Sequence, residues 1–152
     1  VINSLIEEIT NEKIALVHGD FSPKNILATP DNSPIVLDFE VAHTGNPVFD
    51  LAFVSAHLLC KTIRTQSADE KAAITKTALN FLDAYRQTSQ NAQVSIAETL
   101  PQHVALIALA RVEGVSPVNY LDEPAQQKLV ALTNAALLDS TMTYEQLFES
   151  AK

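Results

Sequence analysis

Residues 17–25 read VHGDFSPKN and residues 36–40 read VLDFE. The two segments place Asp20, then Asn25 five residues later, then Asp38 after a further thirteen residues. Carboxylate and amide oxygens are the ligands that a hard cation such as Mg²⁺ prefers, especially where the cation also binds phosphates. The sequence therefore predicts a metal- and phosphate-binding site if the fold brings these three side chains together.

The residues around the two segments indicate how the fold does so. An apolar run over residues 14–17 predicts a β-strand, and a second run over residues 35–37 predicts another. Between them, residues 29–34 read TPDNSP, which is a dense turn signal. We therefore expect a polar loop followed by a small β-hairpin that carries Asn25 and Asp38 to the same edge.

This set of side chains suits phosphoryl transfer, a reaction that needs positioning and charge neutralisation more than covalent help. Mg²⁺ keeps several of its waters, so one carboxylate and one amide oxygen are sufficient protein ligands. Asp38 would supply the charge and Asn25 the neutral oxygen. Asp20 would then orient an acceptor hydroxyl and take its proton.

The pattern H-G-D-x-x-x-x-N over residues 18–25, with D-F-E at residues 38–40, resembles the aminoglycoside phosphotransferase and choline kinase-like family. Its members are relatives of the protein kinases, whose counterparts are H-R-D-x-x-x-x-N and D-F-G. Residues 45–52, GNPVFDLA, are similar to the G-x-P-x-x-D-L-A segment of that family. Residues 111–117, RVEGVSP, are similar to a segment found late in bacterial members. The strongest resemblance covers residues 14–53.

The resemblance implies a role for each residue of the pattern. It makes Asp20 the catalytic base, and it makes Asn25 and Asp38 magnesium ligands that bind ATP through the metal. The implied activity is ATP-dependent transfer of a phosphoryl group to a hydroxyl of a small molecule.

Further residues have accessory roles by the same resemblance. His18 would brace the catalytic loop, Asp50 would hold that loop through hydrogen bonds, and Glu40 would face the metal or the acceptor. One departure from the serine/threonine protein kinases is Ser22, which stands where they carry a lysine. Lys24 lies two positions further on and need not replace it.

The expected fold class is α+β and mainly α-helical, corresponding to the carboxy-terminal lobe of a protein kinase-like fold. The sequence has three glycines, Gly19, Gly45 and Gly114, and therefore no glycine-rich phosphate loop. We expect residues 1–152 to form a single helical lobe whose amino-terminal partner lobe is absent. The isolated chain should then be inactive and should self-associate through an exposed apolar edge.

Beyond residue 46, capping and proline signals predict a series of helices. Four of them are expected to start at Asn46–Pro47, at Ser67, between Thr99 and Pro101, and at Thr143, and a further helix is expected to have Pro124 in its first turn.

Composition excludes several classes of function. The net charge of −8 argues against nonspecific nucleic-acid binding and fits a cationic acceptor such as an amino sugar or a quaternary amine. No apolar run approaches the ~20 residues that a membrane span needs. Cys60 is the only cysteine, so no internal disulfide forms, and we expect a buried, inert thiol in a cytoplasmic protein.

Two other classes of function compete with this interpretation. The first is a non-catalytic kinase-like module that binds a nucleotide or a partner, although binding alone would not require Asp20. The second is a metal-dependent hydrolase in which His18, Asp20, Asp38 and His57 hold a transition metal. The hydrolase leaves Asn25 without a role.

Overall fold

The computed structural model describes residues 1–89 and 95–152. Within these residues the chain is mainly helical, with short strands near its amino-terminal end. The helices are α1 (Ile2–Asn11), α2 (Val48–Arg64), α3 (Ala68–Thr88), α4 (Ser95–Glu113), α5 (Glu123–Leu138) and α6 (Tyr144–Glu149). The strands are β1 (Ala15–Val17), β2 (Ile26–Ala28), β3 (Pro34–Val36) and β4 (His43–Gly45). The α+β, mainly helical class expected from the sequence is confirmed at this level.

Helix α2 is the centre of the lobe. Its sequence, VFDLAFVSAHLLCKTIR, is apolar on almost every side, and such a helix is stable only where other elements surround it. Helices α3, α4 and α5 pack against it. Cys60 is buried in this core as expected, and burial raises the pKa of its thiol to about 12.

Most helix starts follow their local signals. The side chain of Ser67 caps α3, that of Asp122 caps α5, whose first turn contains Pro124 as predicted, and Thr143 forms a complete capping box with Gln146. Helix α2 begins one residue later than predicted, at Val48, yet the Asn46 side chain still accepts a hydrogen bond from the Val48 N–H at 2.9 Å.

The start of α4 differs from the prediction. The helix begins at Ser95 rather than between Thr99 and Pro101, so Pro101 lies inside it. A proline inside a helix removes one backbone hydrogen bond. Here Leu100 and Val104 are fully buried against the core, and their packing offsets that loss.

The strands form two separate antiparallel pairs. Strands β2 and β3 make the predicted hairpin, with Ile26 opposite Val36. Strand β1 pairs with β4, with Val17 opposite His43. Strand β4 was not predicted from the sequence, because a three-residue strand carries no strong periodic signal of its own.

A row of large apolar side chains remains exposed along these strands and the loop that follows them. Leu16 is 74% exposed and Phe39 is 54% exposed, far more than the core residues of the helices. The row consists of Ile14, Leu16, Leu27, Ile35, Leu37, Phe39 and Val41. We call it the apolar edge. Within the described ranges, no helix has the length and apolar character to cross a bilayer.

Candidate active site

Asp50 joins the central helix to the loop that follows β1. It lies in the first turn of α2, and its two carboxylate oxygens accept hydrogen bonds from the backbone of that loop. The His18 N–H donates to Oδ2 at 2.6 Å, and the Gly19 N–H donates to Oδ1 at 3.0 Å. The loop is thus held at a fixed position on the core of the lobe.

His18 is buried and connects the loop to the hairpin. Its Nδ1 accepts a hydrogen bond from the Asp20 N–H at 3.2 Å, so the proton of the neutral ring is on Nε2. That atom donates to the carbonyl oxygen of Leu37 at 2.8 Å. Because the backbone occupies both ring nitrogens, His18 has no lone pair for a transition metal. This arrangement counts against the hydrolase hypothesis.

Glycine is the only residue type that fits at position 19. Its φ angle is +83°, which residues other than glycine rarely adopt. An added Cβ atom would lie 2.8 Å from the carbonyl oxygen of Val41. The tight turn at Gly19 lets Asp20, two residues after the buried histidine, be partly exposed.

Asp20 is partly exposed and is the centre of a small polar cluster. Its Oδ2 accepts a hydrogen bond from Asn25 Nδ2 at 3.0 Å and forms an ion pair with Lys24 Nζ at 2.9 Å. Burial raises the pKa of Asp20, but the hydrogen bond and charge of Lys24 and the hydrogen bond of Asn25 outweigh it, so the net pKa lies below the usual value. Asp20 is therefore ionised at neutral pH.

Asn25 is buried beside Asp20 and begins the hairpin. Its Nδ2 also donates to the backbone carbonyl of Asp20 at 2.9 Å. Its Oδ1 atom carries the lone pairs that a cation needs. The Leu37 N–H donates to the Asn25 carbonyl at 2.9 Å, which brings Asp38, the next residue, to the same edge of the hairpin.

Asp38 is exposed and has an unusual backbone conformation, with φ at 67°. Short polar side chains such as aspartate tolerate this left-handed region, and such residues cluster at functional sites. Glu40, which follows two positions later, is also exposed, and it makes no hydrogen bond or ion pair within residues 1–89 and 95–152.

Lys24 is a member of this site that the sequence analysis did not select. Ser22, at the position of the kinase lysine, is buried, whereas Lys24 reaches Asp20 from four residues along the chain. The hydrogen bond and charge of Asp20 raise the pKa of Lys24, and the charge of Asp38 acts in the same direction. The i, i+4 spacing of Asp20 and Lys24 was the available signal.

The site fits a magnesium ion. In the described parts of the chain, no group of three or more His, Cys, Asp or Glu side chains could hold a metal, which excludes a carboxylate- and histidine-rich centre there. An octahedral Mg²⁺ ion requires fewer protein ligands, because waters and phosphates complete its shell. The ammonium group of Lys24 lies against Asp20 and within the field of Asp38, so the site already attracts one positive charge.

Asp50→Ala should destabilise the fold by on the order of 3 kcal/mol, because it leaves the N–H groups of His18 and Gly19 without their charged acceptor. Urea unfolding measures the loss. Asp83→Ala is the matched control, since it breaks only an exposed ion pair with Arg86 and should change stability little. Equal losses in the two variants would show that Asp50 does not hold the loop.

Comparison with known proteins identifies the family of the chain. Among curated proteins, none matches the chain significantly. The model of the phosphotransferase enzyme family matches residues 3–90, which is more than half of the chain and includes Asp20, Asn25 and Asp38. The chain therefore belongs to the phosphotransferase enzyme family, as its resemblance to the aminoglycoside phosphotransferases predicted.

Proposed function

We propose that the chain supplies the catalytic lobe of an ATP-dependent phosphotransferase that acts on a hydroxyl of a small molecule with the assistance of Mg²⁺. Family membership supports a phosphotransferase of the kinase-like type. The observation that supports the finer proposal is the hydrogen bond between the side chains of Asn25 and Asp20. The backbone hydrogen bond from Leu37 to Asn25 brings Asp38, the residue after Leu37, to the same edge of the hairpin.

In this proposal Asp20 orients the acceptor hydroxyl and takes its proton. Its lowered pKa keeps the carboxylate charged at neutral pH, so it accepts the hydrogen bond of the hydroxyl before any proton moves. A weak base suits this task, because the loose transition state of phosphoryl transfer depends mainly on position and charge. Asn25 fixes the carboxylate by donating to both its side chain and its backbone carbonyl.

Asn25 and Asp38 would hold the magnesium ion, Asn25 through Oδ1 and Asp38 through its carboxylate. The ion supplies charge neutralisation to the phosphate oxygens of the donor nucleotide. Lys24 adds a second positive charge beside Asp20, where it can face the phosphoryl group as it passes to the acceptor. Glu40 lies near Asp38 in sequence and is assigned to the outer part of the site.

The donor half of the site comes from elsewhere in the protein. The three glycines of this chain lie far apart in sequence, in a turn, in strand β4 and at a helix end, so the chain has no phosphate-covering loop of its own. The apolar edge would be covered by an amino-terminal lobe of the full-length protein, which supplies that loop and a phosphate-binding lysine. Without this cover, the edge should promote self-association of residues 1–152, and the isolated lobe should not transfer phosphate.

The test is phosphoryl transfer by the full-length protein with ATP and Mg²⁺, followed by phosphorus NMR. The acceptors form a panel of hydroxylated metabolites of different charge. We expect a new phosphomonoester with at least one acceptor, and no product after Mg²⁺ is chelated. Saturable ATP binding without transfer to any acceptor would overturn the proposal in favour of the non-catalytic module.

A further inference from the structure

A second cluster of polar and aromatic side chains lies beside the catalytic loop, on the face of α2 that carries Phe53, His57, Lys61 and Arg64. These four residues recur at spacings of four, four and three, which places them along one side of the helix. The proposed mechanism uses none of them. The segment 111–120 at the end of α4 packs against this side and completes the cluster.

Arg111 and Tyr120 are the two residues that this segment contributes. The Val118 N–H donates to the Arg111 carbonyl at 2.8 Å, which turns the chain back toward α2. The Arg111 guanidinium then lies over the Phe53 ring at 5.1 Å. The Tyr120 ring faces the cations of Lys61 and Arg64 at 5.9 Å and 5.6 Å. Cation–π contacts hold the cluster together without neutralising it.

The positive charges of the cluster have no acidic partner among the described residues. Within residues 1–89 and 95–152, no carboxylate lies within 4.0 Å of Lys61, Arg64 or Arg111, although acidic residues outnumber basic ones in the chain, 18 to 10. Two donor atoms are also buried without a hydrogen-bond acceptor in the described residues, the Nε of Arg111 and the hydroxyl of Tyr120. Unpaired buried donors are costly, so each of these two groups would gain stability from a hydrogen-bond acceptor.

The cluster begins one helical turn from the residue that holds the catalytic loop, because Phe53 follows Asp50 by three positions on α2. His57 adjoins Phe53, with ring centroids 5.2 Å apart, and the charges of Arg111 and Asp20 both act on its ring. Burial, followed by the charge of Arg111, lowers the pKa of His57 to about 4, so its imidazole is neutral at pH 7. The cluster therefore contains a neutral histidine beside Phe53, which adds no positive charge of its own.

We propose that this cluster is the acceptor-binding subsite and that the acceptor is a small hydroxylated acid. The hydroxyl of the acceptor faces Asp20, while its carboxylate or phosphate binds the Arg111 guanidinium and the Tyr120 hydroxyl. Lys61 and Arg64 add positive charge at the rim. The inference deepens the proposed phosphotransferase function and rests on it. The net charge of the chain fits a cationic acceptor, but the local charge of this subsite is positive. The subsite therefore favours an anionic acceptor.

The binding test uses four compounds that share a 1,2-diol and differ in charge: glycerate, glycerol 3-phosphate, glycerol and 3-aminopropane-1,2-diol. Each is titrated into the full-length protein and followed by amide NMR. We expect saturable shifts at Arg111 and Tyr120 with one or both anions, and none with the neutral or cationic diol. Arg111→Gln should weaken anion binding roughly 10- to 100-fold, the usual effect of losing a charged hydrogen bond.

Two further variants separate recognition from folding. Tyr120→Phe removes only the hydroxyl and keeps the ring that Lys61 and Arg64 face, so it should weaken the anions less than Arg111→Gln does. Lys76→Gln removes an exposed positive charge from α3 and should leave binding unchanged. The proposal is overturned if the cationic diol binds as well as the anions, if Arg111→Gln binds anions normally, or if neither anion binds saturably.

Turnover distinguishes this inference from the function on which it rests. With an anionic acceptor, Arg111→Gln should raise KM far more than it lowers kcat, because the anion is bound equally in the ground state and the transition state. Anion binding at Arg111 without phosphoryl transfer would contradict the phosphotransferase proposal alone. Transfer to neutral or cationic acceptors that Arg111→Gln leaves unchanged would contradict only the proposed subsite.

Discussion

Asp20→Asn is expected to lower kcat of the full-length protein by on the order of 10²–10⁴-fold, the usual contribution of a positioned acid or base. The asparagine keeps the size of the side chain but removes the charge that orients the acceptor hydroxyl. Nucleotide affinity should change little, because the donor is held mainly by the metal and by the other lobe. The measurement is steady-state phosphoryl transfer, with Asp83→Asn on the exposed face of α3 as the control.

The pH profile gives this prediction a second readout. A carboxylate whose pKa lies below its usual range stays ionised as the pH falls, so activity should persist until the pH drops below that range. Lys24→Gln removes the hydrogen bond and charge that lower the pKa of Asp20, so the acid limb should move to higher pH. Near-normal kcat in Asp20→Asn, or an acid limb that Lys24→Gln leaves unchanged, would contradict the assignment of Asp20.

Asp38→Asn should have the second large effect, a loss of on the order of 10²-fold or more in turnover at limiting Mg²⁺, because a metal-bound charge contributes several kcal/mol. Asparagine is chosen because it tolerates the φ angle of 67° at this position, whereas alanine would add backbone strain. The measured quantity is the dependence of turnover on magnesium concentration.

Asn25→Ala is the comparison variant for the metal. It removes a neutral oxygen rather than a charge, so turnover should fall less than in Asp38→Asn, and raised Mg²⁺ should partly restore it by mass action. The part of the loss that magnesium does not restore measures the hydrogen bonds of Asn25 to Asp20. An unchanged magnesium dependence in both variants would exclude these residues as ligands.

The sequence predicted those parts of the fold that local signals determine. The turn at residues 29–34 gave the β2–β3 hairpin, and Ser67 and Thr143 gave the starts of α3 and α6. Strand β4 escaped prediction because its partner β1 lies far earlier in the chain: Val17 pairs with His43, 26 residues later, and no short turn joins the two strands. Pro101 misled the prediction because tertiary packing overrode its preference for the first turn.

The candidate site shows the same division. The spacing of Asp20, Asn25 and Asp38 was readable because one loop and one hairpin connect them. The hydrogen bonds from residues 18 and 19 to Asp50 join positions more than thirty residues apart in sequence, and only the family resemblance indicated them. The convergence of α2 with segment 111–120 depends on how α4 packs on α2, so no pattern within either helix predicts it.

Manganese-induced broadening of amide resonances in the full-length protein shows whether residues 20, 25 and 38 surround a metal ion, because Mn²⁺ replaces Mg²⁺ at oxygen sites and relaxes nearby nuclei. In the presence of ATP, we expect the strongest broadening at residues 20, 25 and 38, and we expect Asp38→Asn to remove it from those positions. Broadening centred on another acidic region, such as Glu7 and Glu8 of α1, or broadening at the loop that Asp38→Asn leaves intact, would contradict the proposed metal site.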